Sequence, residues 1–184
     1  MSKGKLFVIS GASGVGKSTV LAKVMEVRKD LTFSVSATTR APRPGEIDGV
    51  SYYFVSKDKF LDMIVKGEFL EYDDHMDNYY GTPKAQLEEK LERSHVLLDI
   101  EPNGAFAVKK ARPDAQLIFI APPSLEELEK RLRSRGDTAE EQIQMRLERA
   151  RWEMDQNRWY DYVVTNDQVE TCAEEILNII ANAK

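Results

Sequence analysis

The chain has 184 residues, with 26 lysines and arginines against 31 aspartates and glutamates, which gives a formal net charge of −5. This length suits one folded domain, and the mildly acidic balance argues against a dedicated nucleic-acid binder. The single cysteine, Cys172, cannot form an internal disulfide and fits a reducing compartment. No apolar run approaches the roughly 18–20 residues that a bilayer-spanning helix needs. We therefore expect a cytoplasmic protein with neither a nucleic-acid nor a membrane partner.

Short apolar segments typical of β-strands alternate with amphipathic helical segments along the chain. The predicted strands are Leu6–Ser10, Phe33–Ala37, Val96–Ile100, Leu117–Ala121 and Tyr162–Thr165. Three of them are continuously apolar, as expected for parallel strands that are covered on both faces. Strands that alternate with helices predict an α/β fold with a parallel sheet.

The first predicted strand leads into Gly11-Ala12-Ser13-Gly14-Val15-Gly16-Lys17-Ser18, a complete G-x-x-x-x-G-K-S motif. Its glycines let successive backbone N–H groups point at one anion, and the following helix N-terminus adds about half a positive charge. Lys17 is placed to reach the β- and γ-phosphates, and the Ser18 hydroxyl to ligate Mg²⁺. We interpret the segment from Gly11 to Thr19 as the binding site of a nucleoside triphosphate, with Mg²⁺ as cofactor.

Helical periodicity is clearest in the second half of the chain. Two predicted capping boxes, Ser124 with Glu127 and Thr138 with Glu141, mark helix starts, and Thr82-Pro83 predicts a proline at a first helical position. The apolar residues that repeat at helical spacing are Leu125, Leu128 and Leu132, then Ile143, Leu147, Ala150 and Met154, and finally Val169, Ala173, Ile176 and Ile180.

Asp99 lies at the end of an apolar predicted strand, where a carboxylate could help to hold Mg²⁺ or its waters. The alternative is that Asp99 only caps the strand end. The two histidines, His75 and His95, have no metal-ligand spacing, and no general base is evident. That absence suits an acceptor that is already anionic, because a phosphate oxygen needs no deprotonation.

The chain between Thr38 and Tyr80 is rich in proline, glycine, tyrosine and charged residues. We interpret it as a small lobe inserted between strands, because it holds too many aromatic residues for a disordered linker.

Four segments in this lobe and beyond it combine with the phosphate loop into a recognisable pattern. They are Ser34-Val35-Ser36-Ala37-Thr38-Thr39-Arg40-Ala41-Pro42-Arg43-Pro44-Gly45-Glu46 with Gly49, Tyr52 and Phe54-Val55, then Phe69-Leu70-Glu71-Tyr72, Asn78-Tyr79-Tyr80-Gly81-Thr82 and Val164-Thr165-Asn166-Asp167. The pattern resembles the guanylate kinases over essentially the whole chain, in that family's order and spacing. The resemblance implies that ATP and GMP are the substrates and that ADP and GDP are the products.

The resemblance also implies the architecture. The expected fold is α/β, with a P-loop NTPase three-layer α/β/α core around a parallel sheet, an inserted mixed α/β GMP-binding lobe and a helical lid. The chain would be a single domain, with the lobe at about 36–82 and the lid at about 125–151. The expected core segments are about 1–35, 83–124 and 152–184.

A GMP site in the lobe follows from the same resemblance. The guanidinium groups of Arg40 and Arg43 would form bidentate hydrogen bonds with the 5′-phosphate of GMP. The hydroxyls of Tyr52 and Tyr80 would be its remaining ligands. Taken separately, these residues would favour a solvated basic loop and a small aromatic core. Their joint occurrence at the family's spacing favours the phosphate site.

Guanine presents N1–H and N2–H₂ donors and an O6 acceptor. By resemblance, the Glu71 carboxylate would accept from the ring donors, while Ser36 and Thr82 would contact O6 and the base edge. The chain departs from the family at Ile100-Glu101-Pro102-Asn103-Gly104, where an aspartate and a glutamine are usual. Glu101 keeps the charge that would contact the base, but its side chain is one methylene longer, and the asparagine is shorter than the usual glutamine.

Arginines are concentrated in the expected lid. Phosphoryl transfer spreads negative charge over the moving group, so its catalysis depends on placed cations. By resemblance, Arg135 and Arg146 would contact the transferring phosphate, Arg131 would lie near the ATP base, and Arg149 would meet the acceptor phosphate. Asn166 resembles a family position near the adenine, with a simple turn residue as the alternative.

Three alternatives remain open at this point. The lid arginines could form a solvated helix face with i,i+4 ion pairs, which is what we expect of Lys130 and Arg133. The chain could phosphorylate another small acceptor, or it could be a non-catalytic binding module of the same family type. The sequence leaves monomer and homo-oligomer undecided.

Overall fold

The computed structural model describes residues 3–75, 77–134 and 139–183. The chain divides into two compact units. The first unit comprises Met1–Leu6 and Asp30–Ala115, and the second comprises Phe7–Lys29 and Gln116–Lys184. The finer division into core, lobe and lid stays a prediction.

The helices and strands follow one another in an alternating order. They are β1 (Leu6–Gly11), α1 (Lys17–Val27), β2 (Leu31–Phe33), β3 (Ala37–Thr38), β4 (Tyr53–Phe54), α2 (Lys57–Val65), β5 (Phe69–His75), β6 (Asn78–Pro83), α3 (Lys84–Leu91), β7 (His95–Asp99), α4 (Pro102–Ala111), β8 (Gln116–Ala121), α5 (Leu125–Ser134), α6 (Glu140–Asp155), β9 (Tyr162–Thr165) and α7 (Val169–Asn182), with a short 3₁₀ helix at Asn157–Trp159 before β9.

In the second unit, β8 pairs with β1 on one side and with β9 on the other, and all three strands are parallel. Val8 stands opposite Leu117, and Ile120 stands opposite Val164. Both β1 and β8 are buried almost throughout, which explains why their sequences are continuously apolar. Helix α1 packs against α7, and α5 packs against α6.

The first unit contains the parallel pair β2 and β7 and, separately, a mixed four-stranded sheet in the order β4-β3-β6-β5. Strand β3 pairs in parallel with β4 and antiparallel with β6, and β5 and β6 are antiparallel. This sheet has its own core of Ala37, Phe60, Met63 and Phe69, in which the Phe60 and Phe69 rings stack 4.4 Å apart. The predicted α/β fold, with parallel strands and a separate mixed sheet, is confirmed.

One predicted strand is wrong. The segment Phe33–Ala37 is not continuous, because β2 ends at Phe33 and β3 begins at Ala37. The Ser34 N–H still donates to the carbonyl of Leu97, 2.8 Å away, and the chain then leaves β7 to join the mixed sheet. The other four predicted strands agree with the structure to within one residue at each end.

Of the predicted helix starts that fall on described residues, one is confirmed and one is wrong. The Ser124 hydroxyl accepts from the Glu127 N–H at 3.1 Å, which confirms that cap. Pro83 precedes α3 as its N-cap residue and is not the first helical residue. Thr138 lies outside the described residues, and α6 begins at Glu140. Within the described ranges, no helix is both long enough and apolar enough to cross a membrane.

Candidate functional site

The phosphate loop joins β1 to α1 through a backbone that only glycine adopts easily. Gly14 and Gly16 have φ values of 85° and 92°, in the left-handed region. A side chain at Gly14 would also place its Cβ 2.7 Å from Leu132 Cδ2. Lys17 is the first residue of α1, so the loop, the lysine and the helix N-terminus lie in the predicted order. This arrangement suits an anion.

Within the loop, the Val15 N–H donates to the Ala12 carbonyl at 3.0 Å and closes a tight turn. The Ala12 N–H donates to the carbonyl of Ile120 in β8 at 3.2 Å, which ties the turn to the sheet. These bonds set where the following N–H groups of the loop can point.

Two buried polar side chains from outside the motif also hold the loop. The Asn166 Nδ2 donates to the Val15 carbonyl at 2.7 Å, and a Glu153 carboxylate oxygen accepts from the Ser13 N–H at 2.6 Å. Asn166 is 3% exposed and Glu153 is 1% exposed. The structure therefore places Asn166 against the phosphate loop, and its contact with adenine stays a prediction. The sequence gives no sign of this role for Glu153, because an acidic residue four positions after Arg149 has the spacing of an ordinary surface ion pair.

Arg131 is tied to the turn after β9. Its guanidinium donates to the Asn166 carbonyl at 2.8 Å and to the Asp167 carbonyl at 3.2 Å, and its Nε donates to Glu127 at 3.3 Å. These contacts keep Arg131 beside the segment that positions the loop. Its role at the ATP base stays a prediction.

The other lid arginines have different surroundings. Arg133 pairs with Glu129 and Glu140 on the surface, as expected of a solvated face. Arg146 is half-buried on α6. Arg149 Nε donates to Glu153 at 3.0 Å. Arg135 lies outside the described residues.

In the first unit, Arg40 is held by a fork of hydrogen bonds. Its Nη1 and Nη2 donate to the two carboxylate oxygens of Glu46 at 2.9 and 2.8 Å. This bond is the main reason why the pKa of Arg40 is raised, against the opposing effect of burial, while a hydrogen bond with Tyr80 raises it further. The guanidinium carbon lies 5.4 Å from the ring centre of Tyr52. Three of the predicted phosphate ligands are therefore together, with Glu46 as a residue that the sequence analysis did not assign.

The remaining predicted phosphate ligand, Arg43, has an exposed side chain. Its backbone N–H donates to Glu46 at 2.7 Å, so a single carboxylate anchors both arginine positions. The sequence signal for Glu46 was its place at the end of the arginine-containing segment.

Glu71 lies in the interior of the first unit and is 7% exposed. It stands directly opposite Thr82 in the β5–β6 register, and the Thr82 hydroxyl donates to Glu71 Oε1 at 2.5 Å. Burial raises the pKa of Glu71 from 4.5 to about 7, and the hydrogen bond from Thr82 opposes that rise. The predicted pair is thus assembled around a carboxyl group that can be charged or neutral near pH 7.

Gly104 provides the space for this carboxyl group. A Cβ at Gly104 would lie 2.9 Å from Glu71 Oε2 and 3.2 Å from Ile100 Cδ1. Because Glu71 is fixed on its other side by Thr82, the carboxyl group has little room to withdraw. Gly104 is a site residue that could not be predicted, since nothing in the sequence indicates which side chain a helical glycine faces.

Three further predicted residues lie in the first unit. Ser36 is half-buried just before β3, and its carbonyl accepts from the Tyr53 N–H at 2.9 Å. Glu101 is exposed and precedes α4 as its N-cap residue. Asp99 is exposed at the end of β7, and its charge is the second cause, after burial, of a raised pKa for Tyr52. Asp99 therefore shares the electrostatic surroundings of the cluster around Arg40, which comprises Arg40, Glu46, Tyr52 and Tyr80.

The oxygen donors available for a divalent cation fit Mg²⁺ in kind. Ser18 offers a hydroxyl in the first turn of α1, and Asp99 offers an exposed carboxylate. Mg²⁺ keeps several waters and binds nucleotide phosphates, so it needs few protein ligands. Among the described residues there is no group of three or more histidine, cysteine, aspartate or glutamate side chains that could hold a metal by itself.

The parallel strands, the phosphate loop and the helix that follows it define a P-loop nucleotide-binding protein. The family model described as guanylate kinase matches residues 3–183. A guanylate kinase of Thermus thermophilus is 51% identical over 179 residues, which are 97% of this chain and 81% of that protein. The chain belongs to the guanylate kinase family.

Two further relatives agree with this assignment. A guanylate kinase of Clostridioides difficile is 48% identical over 185 residues, covering 100% of this chain and 90% of that protein. A crystal structure of guanylate kinase from Anaplasma phagocytophilum superposes with a TM-score of 0.79 at 36% identity, covering 98% of this chain and 86% of that one.

The raised pKa of Glu71 predicts how stability depends on pH. Since the folded protein holds this proton more tightly than the unfolded chain, the free energy of unfolding decreases as the pH rises from the ordinary value of 4.5 through about 7. A shift of this size corresponds to about 3 kcal/mol. Urea unfolding between pH 5 and 8 should show this decrease in the parent and not in Glu71→Gln. The exposed Glu68→Gln serves as the control and should follow the parent; a Glu71→Gln curve parallel to the parent's would contradict the prediction.

Proposed function

We propose that this chain transfers the γ-phosphoryl group of ATP to GMP, and that the residues described above divide the work between donor and acceptor. Membership of the guanylate kinase family supports the reaction. The single structural observation that carries the choice of GMP is the buried Glu71–Thr82 pair. A buried carboxylate needs donors, and guanine offers N1–H and N2–H₂, whereas adenine has no ring N–H on that edge.

The base-binding role rests on acceptor sites of the charged Glu71 carboxylate that no other described residue fills. Thr82 supplies one hydrogen bond from its hydroxyl and one from its backbone, but an ionised carboxylate has about four acceptor sites. Guanine donors would fill the remainder and would favour the charged form, so the binding of GMP would release a proton near pH 7. Ser36 and Thr82 complete the base edge, and Glu101 provides a second carboxylate at the start of α4.

The acceptor phosphate would bind to the cluster around Arg40. Glu46 fixes this guanidinium before a substrate arrives, so less conformational freedom is lost on binding. Arg43 adds a second cation, and the hydroxyls of Tyr52 and Tyr80 add neutral hydrogen bonds. Arg149, whose Nε donates to Glu153, is a further candidate for the acceptor phosphate.

The donor triphosphate would bind along the phosphate loop and Lys17, with Arg131 and Asn166 toward the adenine. Ser18 and Asp99 would hold Mg²⁺, which when bound neutralises charge on the phosphate oxygens. No deprotonation of the acceptor is needed, because the attacking atom is a phosphate oxygen. Arg146 and Arg135 would stabilise the charge on the transferring group. We assign the reaction to the cytoplasm, because the only cysteine in the sequence is buried and unpaired.

A coupled assay of ADP release tests the proposed reaction. With Mg²⁺-ATP, turnover is expected with GMP, and turnover with AMP, CMP, UMP or ribose 5-phosphate should be lower by about 100-fold or more, because buried polar groups would stay unpaired. Lys17→Ala should abolish turnover, while the exposed Lys23→Ala should keep it. Equal turnover with another acceptor would overturn the GMP assignment, and ATP binding without any turnover would favour a binding module.

Gly104→Ala tests the guanine pocket without altering a proposed ligand. The added methyl group should displace the Glu71 carboxylate and raise KM for GMP about tenfold, while KM for ATP stays within twofold. Alanine is the better helix former, so helix propensity alone would stabilise the variant. The exposed Ala107→Gly changes the same helix in the opposite sense and should leave KM for GMP unchanged. An unchanged KM for GMP in Gly104→Ala would place guanine elsewhere.

Arg146→Ala tests the catalytic role of the lid. If this guanidinium stabilises the transferring phosphate, kcat should decrease about 100-fold or more, with the melting temperature changed by only about 2 °C. Arg151→Ala, on the exposed side of the same helix, is the matched control and should retain the parent kcat. A kcat within twofold of the parent for Arg146→Ala would remove Arg146 from the catalytic set.

A further inference from the structure

Glu153 is a buried acidic residue to which the proposed reaction gives no role. It lies in α6 and is 1% exposed. One carboxylate oxygen accepts from the Ser13 N–H at 2.6 Å, and the other accepts from Arg149 Nε at 3.0 Å. A buried carboxylate is costly unless it is paired and hydrogen-bonded, and both conditions are met here.

The hydrogen bond to Ser13 acts on a particular peptide group of the phosphate loop. The Ser13 N–H and the Ala12 carbonyl belong to the same peptide unit, which is planar. Its carbonyl accepts from the Val15 N–H at 3.0 Å, and its N–H donates to Glu153 at 2.6 Å. Bonds at both ends of one rigid plane fix its rotation about the chain.

The orientation of the Ala12–Ser13 peptide group limits the directions that the following peptide groups can take. The Val15 carbonyl accepts from Asn166 Nδ2 at 2.7 Å, so the loop is held on both sides of Gly14 by side chains from outside the motif. Between and after these two points the backbone turns through the positive φ values of Gly14 and Gly16. Glycine backbones are flexible by themselves, so external hydrogen bonds must select one loop conformation.

We propose that Glu153 is a positioning residue for ATP: it fixes the Ala12–Ser13 peptide so that the loop N–H groups converge on the donor phosphates. This inference rests on the proposed function for the identity of the nucleotide. Arg149 compensates the negative charge, which would otherwise stand beside a polyanion and weaken its binding. Glu153 acts through the loop backbone and does not touch the reacting atoms.

A positioning role and a purely structural role predict different kinetics. If Glu153 only stabilises α6, its substitution lowers the melting temperature and leaves substrate constants unchanged. If it positions the loop, nucleotide affinity decreases because the N–H groups lose their common direction. The GMP site should respond less than the ATP site, since the residues that we assign to the base and to the phosphate cluster around Arg40 belong to the first unit. Among the proposed acceptor ligands, Arg149 is the one that contacts Glu153.

The test compares four side chains at position 153. Glu153→Ala removes the acceptor, Glu153→Asp keeps the charge but shortens the reach, and Glu153→Gln keeps the shape and one acceptor oxygen. KM for ATP and the dissociation constant of ADP should rise about tenfold or more in the alanine and aspartate variants, because a hydrogen bond to a charged acceptor is lost. Glutamine should restore part of the affinity, and KM for GMP at saturating ATP should rise less than the dissociation constant of ADP.

Two controls lie on the same helix. The exposed Glu148→Ala removes an acidic side chain that is remote from the loop contact, and Leu147→Ala removes buried packing. Leu147→Ala should lower the melting temperature and leave the ADP dissociation constant unchanged. All assays are run well below the lowest melting temperature, and if Glu153→Ala does not fold, the aspartate and glutamine variants decide.

The proposal is overturned if the Glu153 variants lower only the melting temperature, with nucleotide constants within twofold of the parent. It is also overturned if KM for GMP rises as much as KM for ATP. ADP binding is measured by titration in the absence of GMP. A parent protein that binds ADP but does not phosphorylate GMP would therefore refute the proposed function, while the binding series would still decide the role of Glu153.

Discussion

The phosphate loop imposes the central constraint on this molecule, because the same backbone must be rigid and must also leave N–H groups directed at an anion. A helix or a sheet becomes rigid by pairing its peptide groups with one another, which a phosphate-binding loop cannot do. Here the sheet pairs with the Ala12 N–H, and buried side chains pair with Ser13 and Val15. The buried strand β8, helix α6 and the turn after β9 all contribute to this one loop.

The elements with a strong local signal could be predicted from the sequence. The continuously apolar strands and the phosphate loop are such elements, since burial on both faces and positive φ values restrict the residue types. The break at residues 34–36 was missed, because the apolar pattern does not show that β2 and β3 join different sheets. The positions of Arg40 and Glu71 came from family resemblance, not from local pattern.

The partners that hold the site could not be predicted, for a common physical reason. Glu46, Gly104 and Glu153 act through contacts whose geometry depends on register and helix rotation. The pairing of Glu71 with Thr82 depends on the β5–β6 register, which the local sequence pattern does not show. Glu153 has the i,i+4 spacing of a surface pair and is nevertheless buried, so spacing alone gives the wrong environment.

The buried carboxyl group of Glu71 also explains how a small lobe could select its base. Burial destabilises the ionised form of this carboxyl group and thereby raises its pKa to about 7. On the proposed assignment, guanine donors stabilise the ionised form by hydrogen bonds. Adenine would instead leave the charged carboxylate without hydrogen bonds from the base, or the carboxyl group would have to keep its proton. An unpaired buried group costs about 1–3 kcal/mol, and more when it is charged. Selectivity would therefore arise from the penalty of the wrong base, and the close approach of Gly104 preserves it by leaving the carboxyl group little room to move aside.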